Sequence, residues 1–331
     1  MSVITEASWE RAVEVLRGAD RVALACHLGP DGDALGSMLG VGLGLRAAGK
    51  TVAGSWGQEP FAVPKPFDRL LPGQDLLVTP RKLPAAPVFV AFDTGALDRL
   101  GSLAPRATAD DATTIVLDHH RTNDGFAQVD LIDADAAATA VLGRELLRRL
   151  EIPLTKDIAT CFYVALVTDT GRFQYRNTTP SVHELAAELL AAGVEQDVIS
   201  RELYQTKTLG SLRASATILA NLHVEEADSL VWSSISNEEA RASGADRDDL
   251  DGMIDVIRKL DTCDAALLLK QAADGGWRGS MRAKERTDVG AIAATFGGGG
   301  HTLAAGFTAP EELTEPEAIA KVVLERLRAQ R

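Results

Sequence analysis

The sequence predicts an α/β protein of two domains, the first of them built on a parallel sheet. Three observations point there. At 331 residues the chain is longer than a typical single domain. Its first half alternates short β-rich runs with helical, alanine-rich stretches. Four apolar runs, moreover, each end in acidic or histidine residues. Val22–Cys26 runs into His27, Asp31 and Asp33, and Val88–Phe92 into Asp93. Thr114–Leu117 runs into Asp118, His119 and His120, and Tyr163–Val167 into Asp169. In a parallel sheet the carboxyl ends of the strands open onto one crevice, where ligands bind. These scattered residues would then share a pocket of carboxylate oxygens and imidazole nitrogens, which suits divalent metals handling phosphate.

Taken in order, Val22–Cys26 reads as a strand, and 34–48 as a helix with Leu35, Met38, Leu39, Leu43 and Leu45 at near-helical spacing. Asp33 is placed to cap that helix. Gly40-Val-Gly42-Leu-Gly44 has the look of a dinucleotide fingerprint but sits inside the helix, not at a strand-to-helix turn, so close helix packing is the better account. Residues 133–150 are expected to be helical, while 158–168 is a buried strand or a buried helix that periodicity does not separate. Residues 180–192 and 197–222 read as amphipathic helices joined at Gly193, linking the domains. Beyond them 230–235, 265–270 and 277–281 look like strands, with Gly275-Gly276 as a hairpin turn. A helix over 287–296, a break over 297–300 and a terminal helix over 316–329 complete the pass. The boundaries that follow are a first domain over 1–190, a helical connector over 191–222 and a smaller domain over 223–331.

Composition narrows the functional classes. Hydrophobic residues at 46% and charged residues at 24% suit a globular chain with a full core. The net charge of −13 weighs against a long nucleic acid, which is held by Lys and Arg neutralising successive phosphates. Trp9, Glu10, Arg11 and Glu14 interrupt any signal pattern, and no apolar stretch reaches the roughly 18 residues of a membrane span. The expected location is cytoplasmic, with no membrane partner. Cys26, Cys161 and Cys263 lie far apart without ligand spacing and read as reduced thiols. His183 and His223 lack clustered partners and are assigned to helix surface or core.

The motifs carry the chemistry. His27-Leu-Gly-Pro-Asp31-Gly-Asp33 puts an imidazole and two carboxylates on a tight loop, and the adjacent His119 and His120 point in different directions on leaving their strand. Asp93 and Asp169 each end an apolar run and are followed by Thr-Gly. Four carboxylates in one crevice repel, each pair at ~4 Å costing about 4 kcal/mol at an effective dielectric of 20. Two divalent cations would bring such a cluster near neutrality. In the second half, Gly297–Gly300 exposes backbone N–H groups that can approach a phosphate closely.

In order and spacing, His27-x-x-Pro-Asp-x-Asp33, Asp93, Asp118-His-His120 and Asp169-Thr-Gly171 resemble the DHH phosphoesterase superfamily. Phe296-Gly-Gly-Gly-Gly-His301-Thr-Leu-Ala-Ala-Gly306 is similar to the DHH-associated substrate domain. The run 168–180 resembles the bifunctional oligoribonuclease and 3′-phosphoadenosine-5′-phosphate (PAP) phosphatase branch, the NrnA-like enzymes. Where that branch often has Asn, this chain has Gly29, which removes one side-chain hydrogen bond and no expected ligand. The resemblance implies a parallel-sheet DHH domain and a smaller mixed-sheet domain, with the active site in the cleft between them. It implies one metal on His27, Asp31 and Asp93, and a second on Asp33, Asp93, His119 and Asp169, with Asp93 bridging. Manganese is the expected ion, with magnesium or cobalt as alternatives. His120 would contact the phosphate or support the ligands, Asp118 would orient a histidine, and His301 would donate to the phosphate or protonate the leaving oxygen. Ser280, Arg282, Gly298, Gly299, Gly300 and His301 would bind substrate. The expected substrates are very short oligoribonucleotides and PAP. Alternatives are a cyclic di-AMP or linear pApA phosphodiesterase, a manganese pyrophosphatase and an inactive nucleotide-binding protein. Family analogy suggests a homodimer.

Overall fold

Five short runs rich in Val, Ala and Phe form one parallel sheet in the first of two units, residues 1–205 and 206–331. The computed structural model describes residues 4–123, 125–246, 248–250 and 252–330. The first unit opens with α1 (Glu6–Gly18), β1 (Arg21–Cys26), α2 (Gly32–Ala47) and β2 (Thr51–Trp56). It continues through α3 (Phe67–Leu70), β3 (Val88–Phe92), α4 (Ala104–Ala107), β4 (Thr113–Asp118) and β5 (Val129–Ile132). The helices α5 (Thr139–Arg149), α6 (Lys156–Asp169), α7 (Pro180–Ala191) and α8 (Gln196–Ser200) close it. The strand order is β2-β1-β3-β4-β5, every neighbour parallel. The chain therefore reverses direction across the sheet between β1 and β3, the switch point where such sheets bind ligands.

Both faces of the sheet are covered, as parallel pairing requires. Val22, Leu24, Val90, Phe92, Ile115 and Leu117 pack under α2, α5 and α6. Ala23, Ala25, Phe89, Ala91 and Val116 face the opposite side, against Leu100, Leu103 and Ala107.

Helix α2 is buried along nearly its whole length because α6 presses on it. A Cβ on Gly32 would lie 2.5 Å from Thr168 Oγ1, one on Gly36 would fall onto the Cys161 carbonyl oxygen, and one on Gly40 would lie 2.5 Å from Phe162. The glycines at every fourth position thus let two backbones meet, and Gly44 similarly admits Leu147 of α5. Close packing is what this glycine series does.

Residues 158–168, left open between strand and helix, are helical, so Asp169 comes from a helix end. Other expectations are corrected. The helix expected over 133–150 begins only at Thr139. Before it, Asp133 turns the chain by accepting from the Asp135 N–H at 3.0 Å, and Ala138 is extended. Residues 197–222 are not one helix: α8 passes into a π-turn over Arg201–Gln205, and α9 (Leu209–Ala220) starts afresh under the Thr208 cap. All three cysteines are buried free thiols. No helix among the described residues is long and apolar enough to cross a membrane.

The second unit contains α9, β6 (His223–Glu225), β7 (Leu230–Ile235), α10 (Asn237–Ser243), α11 (Ile254–Ile257), β8 (Ala265–Gln271) and β9 (Trp277–Ala283). It ends with α12 (Val289–Ala294), β10 (Gly299–His301), β11 (Ala304–Thr308) and α13 (Pro316–Arg328). Its sheet runs β10-β11-β9-β8-β7-β6, antiparallel except for the β7–β8 pair. Leu267, Leu269, Met281 and Phe307 pack on α12 and α13, while Val231, Ala266 and Leu268 pack against Ile218, Ile254 and Ile257. His223 belongs to β6, not to a helix, and stacks on Trp232 at 4.1 Å between centroids. The expected break over 297–300 is partly strand, because Gly299, Gly300 and His301 pair with Gly306, Ala305 and Ala304.

Candidate metal centre

The loop after β1 folds as it does because Asp31 caps α2, accepting from the Asp33 and Ala34 N–H groups at 3.1 and 3.0 Å. The cap is therefore Asp31, where Asp33 was expected. Asp33, fully buried inside the first turn, reaches elsewhere. It accepts from the N–H groups of Thr139 at 2.6 Å and Ala140 at 3.1 Å, and from Ser37 Oγ at 2.8 Å. The amino terminus of α5 has no side-chain cap of its own. Asp33 supplies the acceptor oxygens that the free N–H groups of α5 need.

Asp93, one residue beyond β3, is held at φ +53°, a conformation that costs a side-chain-bearing residue but that Asp tolerates better than most. Its N–H donates to the Leu117 carbonyl at 2.9 Å, so β3–β4 pairing is kept while the carboxylate turns into the pocket. There it accepts from Thr139 Oγ1 at 3.1 Å and lies 3.5 Å from His27 Nε2 and 3.4 Å from His119 Nε2.

The histidines are oriented by the backbone. His27 Nδ1–H donates to the Leu28 carbonyl at 2.8 Å, and His119 Nδ1–H to the Ala136 carbonyl at 3.1 Å. Each therefore turns Nε2 toward carboxylates, the arrangement by which a metal-ligating histidine fixes its tautomer. His27 Nε2 lies 3.8 Å from Asp31, and His119 Nε2 lies 3.2 Å from Asp169 and 3.7 Å from Asp33.

Asp169 is brought in by the α2–α6 packing, which sets the end of one helix beside the start of the other. A turn of three successive left-handed residues, Gly171, Arg172 and Phe173, follows it. Asn177 ties that end down, donating to the carbonyls of Asp169 and Ala137, both at 3.1 Å.

Three sets of donor atoms each lie within 4.8 Å of one another: His27, Asp31 and Asp93; Asp33, His119 and Asp169; and Asp93, His119 and His120. Asp93 stands in two of them. Asp118 is fully buried just behind, accepting from His120 Nδ1–H at 2.7 Å and from Asn123 Nδ2 at 2.6 Å. Asn123 also donates to the Thr94 carbonyl at 3.0 Å, so the relay from Asn123 through Asp118 to His120 is fixed at both ends. Sequence reasoning missed Asn123, Thr139 and Asn177. Each is an ordinary polar residue, and only its position against a carboxylate or a turn carbonyl gives it meaning.

The electrostatics fit a cation-binding pocket. Burial, with the charges of Asp93 and Asp169, pushes the Asp33 carboxyl well above the usual range. For Asp93, burial acts upward, but the hydrogen bonds from His119 and His27 outweigh it and hold the carboxyl well below that range. Burial also depresses His27 and His119, yet their carboxylate neighbours raise both imidazoles well above 6.5. Protons thus take the places of cations among these donors. A set of oxygen and imidazole ligands with fixed tautomers suits manganese or a similar divalent ion.

In the second unit, register places His301, Ala304 and Arg282 in one row across β10, β11 and β9, and Gly299, Gly306 and Ser280 in another. Directly paired residues share a face, so His301, Arg282 and Ser280 rise around a floor of glycine and alanine. Arg282 Nη1 donates to the Met281 carbonyl at 3.0 Å, and its Nε lies 4.0 Å from Asp255. Gly298 precedes this edge, and Gly300 has φ +142°, open to glycine alone.

Comparison with known proteins finds one family model within each unit. A family model described as the DHH family, N-terminal domain, matches residues 21–166, and one described as the DHHA1 domain matches 228–328. The bifunctional oligoribonuclease and PAP phosphatase NrnA of Thermus thermophilus is 32% identical over 91% of this chain and 89% of its own. The protein of the same name from Bacillus subtilis is 25% identical over 87% of this chain and 88% of its own. Among solved structures, an exopolyphosphatase-related protein from Bacteroides fragilis shares the fold, with a TM-score of 0.89 and 24% identity over 100% of this chain and 99% of that one.

Proposed function

This chain belongs to the DHH family of metal-dependent phosphoesterases, in its NrnA-like branch, and we propose that it hydrolyses very short oligoribonucleotides to 5′-mononucleotides and PAP to AMP. The observation that carries the chemistry is the pair of donor sets, His27 with Asp31 and Asp33 with His119 and Asp169, meeting at Asp93. The choice of substrates rests on the names borne by the Thermus and Bacillus relatives.

Two divalent cations on these donors, manganese by the fit of the ligand set, would supply Lewis acidity for phosphoryl transfer. The chain's own residues do the rest. Backbone carbonyls hold His27 and His119 with Nε2 inward, and Thr139 and Ala140 hold Asp33. Asp118 accepts a hydrogen bond from His120 Nδ1–H, which leaves the other ring nitrogen an acceptor whenever the ring is neutral. Water adds to a phosphorus linked through a 3′-oxygen, the P–O3′ bond breaks and the 3′-oxygen takes a proton, with His301 or His120 as its source. From PAP the products are AMP and inorganic phosphate. Arg282, Ser280 and the 298–300 backbone of the second unit bind the substrate's terminal phosphate through charge-assisted hydrogen bonds.

The test is a competition assay in manganese that offers a diribonucleotide, PAP, cyclic di-AMP and pyrophosphate and compares kcat/KM. The dinucleotide and PAP are expected to lead. Pyrophosphate or cyclic di-AMP leading would overturn the substrate choice. Arg282→Ala is expected to raise KM for PAP about tenfold or more with little change in kcat; loss of kcat alone would contradict its role in binding.

A further inference from the structure

A cation in the first unit is left over when the metal ligands and their supports have been assigned. Arg99 is exposed and lies on the segment that follows Asp93. Its Nη2 is 3.5 Å from His27 Nδ1 and 3.4 Å from the Leu28 carbonyl. That carbonyl already takes the His27 Nδ1 proton at 2.8 Å. Two donors therefore converge on one oxygen, and the imidazole bond is much the shorter. The guanidinium has five N–H donors, and among the described residues no carboxylate lies within ion-pair distance of it. The other side of the same imidazole faces Asp31 and Asp93. Arg99 thus stands one ring's width from the donor set around His27.

Its backbone is tied to its neighbours although the side chain is exposed. The Leu28 N–H donates to the Arg99 carbonyl at 2.8 Å, and the Ser102 N–H to the Gly57 carbonyl at 3.1 Å. Gly101 sits between them at φ +55°, ψ −128°, where a Cβ would strike Leu28 and lie 2.7 Å from the Gly57 oxygen. A backbone that needs glycine to hold one arginine against the His27 loop, without giving that arginine a carboxylate among the described residues, is arranged for an anion from outside the chain.

Charge says what that is. Asp31, Asp33, Asp93, Asp118 and Asp169 bring five carboxylates together, more negative charge than two divalent cations cancel. A phosphate ester entering such a pocket needs a fixed positive group from the protein, and guanidinium stays charged at any working pH. Resting on the phosphoesterase reading of the pocket, we propose that Arg99 is a substrate-binding residue that holds a non-bridging oxygen of the phosphoryl group beside the His27 donor set. Arg282 and the glycine edge belong to the other unit and would serve a different phosphate.

The experiment compares wild type with Arg99→Ala, Arg99→Gln and Arg99→Lys in three measurements: PAP kinetics, equilibrium binding of inorganic phosphate by calorimetry in manganese, and manganese content. Inorganic phosphate is the PAP product that carries the group Arg99 would hold. Arg99→Ala is expected to raise KM and to weaken phosphate binding by about ten- to a hundredfold, the scale of a charge-assisted hydrogen bond. Manganese content and melting temperature should not change. Lysine should restore part of the loss. Glutamine, which keeps a polar donor but carries no charge, should restore none. Unchanged phosphate affinity in Arg99→Ala, full rescue by glutamine, or loss of manganese in step with affinity would each overturn the proposal. A wild type that turns over no phosphate ester would sink the reading of the pocket, and the phosphate titration would still decide Arg99.

Discussion

At the scale of single residues, Asp93 is where geometry and chemistry conflict most. It accepts a left-handed backbone and burial among other carboxylates, and both cost stability. What those costs secure is a carboxylate within reach of two histidines from different strands. Asparagine tolerates the same backbone and removes the charge. Because His27 and His119 favour the ionised carboxylate in the metal-free pocket, Asp93→Asn should lower the melting temperature of the metal-free protein. It should also abolish manganese binding and lower turnover by about three orders of magnitude or more, as removal of a central group does. Metal analysis and a melting curve check both halves; a folded variant that still binds manganese would show that Asp93 is not a ligand. The residue type was legible in the sequence because an aspartate ending an apolar run is conspicuous. The left-handed turn was not, since nothing in Phe-Asp-Thr-Gly announces it.

At the scale of elements, the centre depends on how closely α2 and α6 approach. Helix propensity favours replacing a mid-helix glycine with alanine by roughly 0.5–1 kcal/mol. At Gly36 the new Cβ would fall onto the Cys161 carbonyl, and overpacking of this kind costs about 1–3 kcal/mol. The clash should win, moving Asp169 away from Asp33 and His119. Gly36→Ala is expected to lower both the melting temperature and manganese affinity, whereas Gly18→Ala, with nothing within 4 Å, should lower neither. Equal behaviour of the two variants would remove the packing argument. The glycine series was readable as close packing from sequence. The nature of 158–168 was not, because a short apolar run buried on all sides has no period to read.

At the scale of the whole molecule, the two units carry separate cores and answer to different conditions. Manganese at a hundred times its dissociation constant should stabilise the first unit by about 2.7 kcal/mol, and chelation should remove that gain. The second unit should respond instead to pH through Asp264. This buried carboxylate accepts from Thr287 Oγ1 at 2.8 Å and from the N–H groups of Thr287, Glu285 and Arg286 at 2.9, 3.0 and 3.2 Å. Burial acts upward on its pKa, but those four donors prevail and hold it below 3.8. A depressed carboxyl contributes stability above the unfolded value of about 3.9, and that contribution is lost as pH falls through the folded one. Asp264→Asn in the full chain should therefore lower the melting temperature at pH 7, with the gap closing in acid. A gap that persists below the folded pKa would mean that the loss is steric. Differential scanning calorimetry with and without chelator reads the first effect, and circular dichroism melts read the second.

The sequence by itself determined the division into two α/β parts, the parallel character of the first sheet and the residue types at its carboxyl edge. Those features are written in local period and in what stands at the end of each apolar run. Only the tertiary structure decided that Asp31 and not Asp33 caps α2, that Asp33 instead anchors α5, and that Asp169 arrives on a helix. The cap itself is local. Asp33, however, is drawn to the Thr139 and Ala140 N–H groups more than a hundred residues away, and the helix that carries Asp169 is seated by its packing against α2. Both are matters of contact between distant elements. No window of sequence contains it.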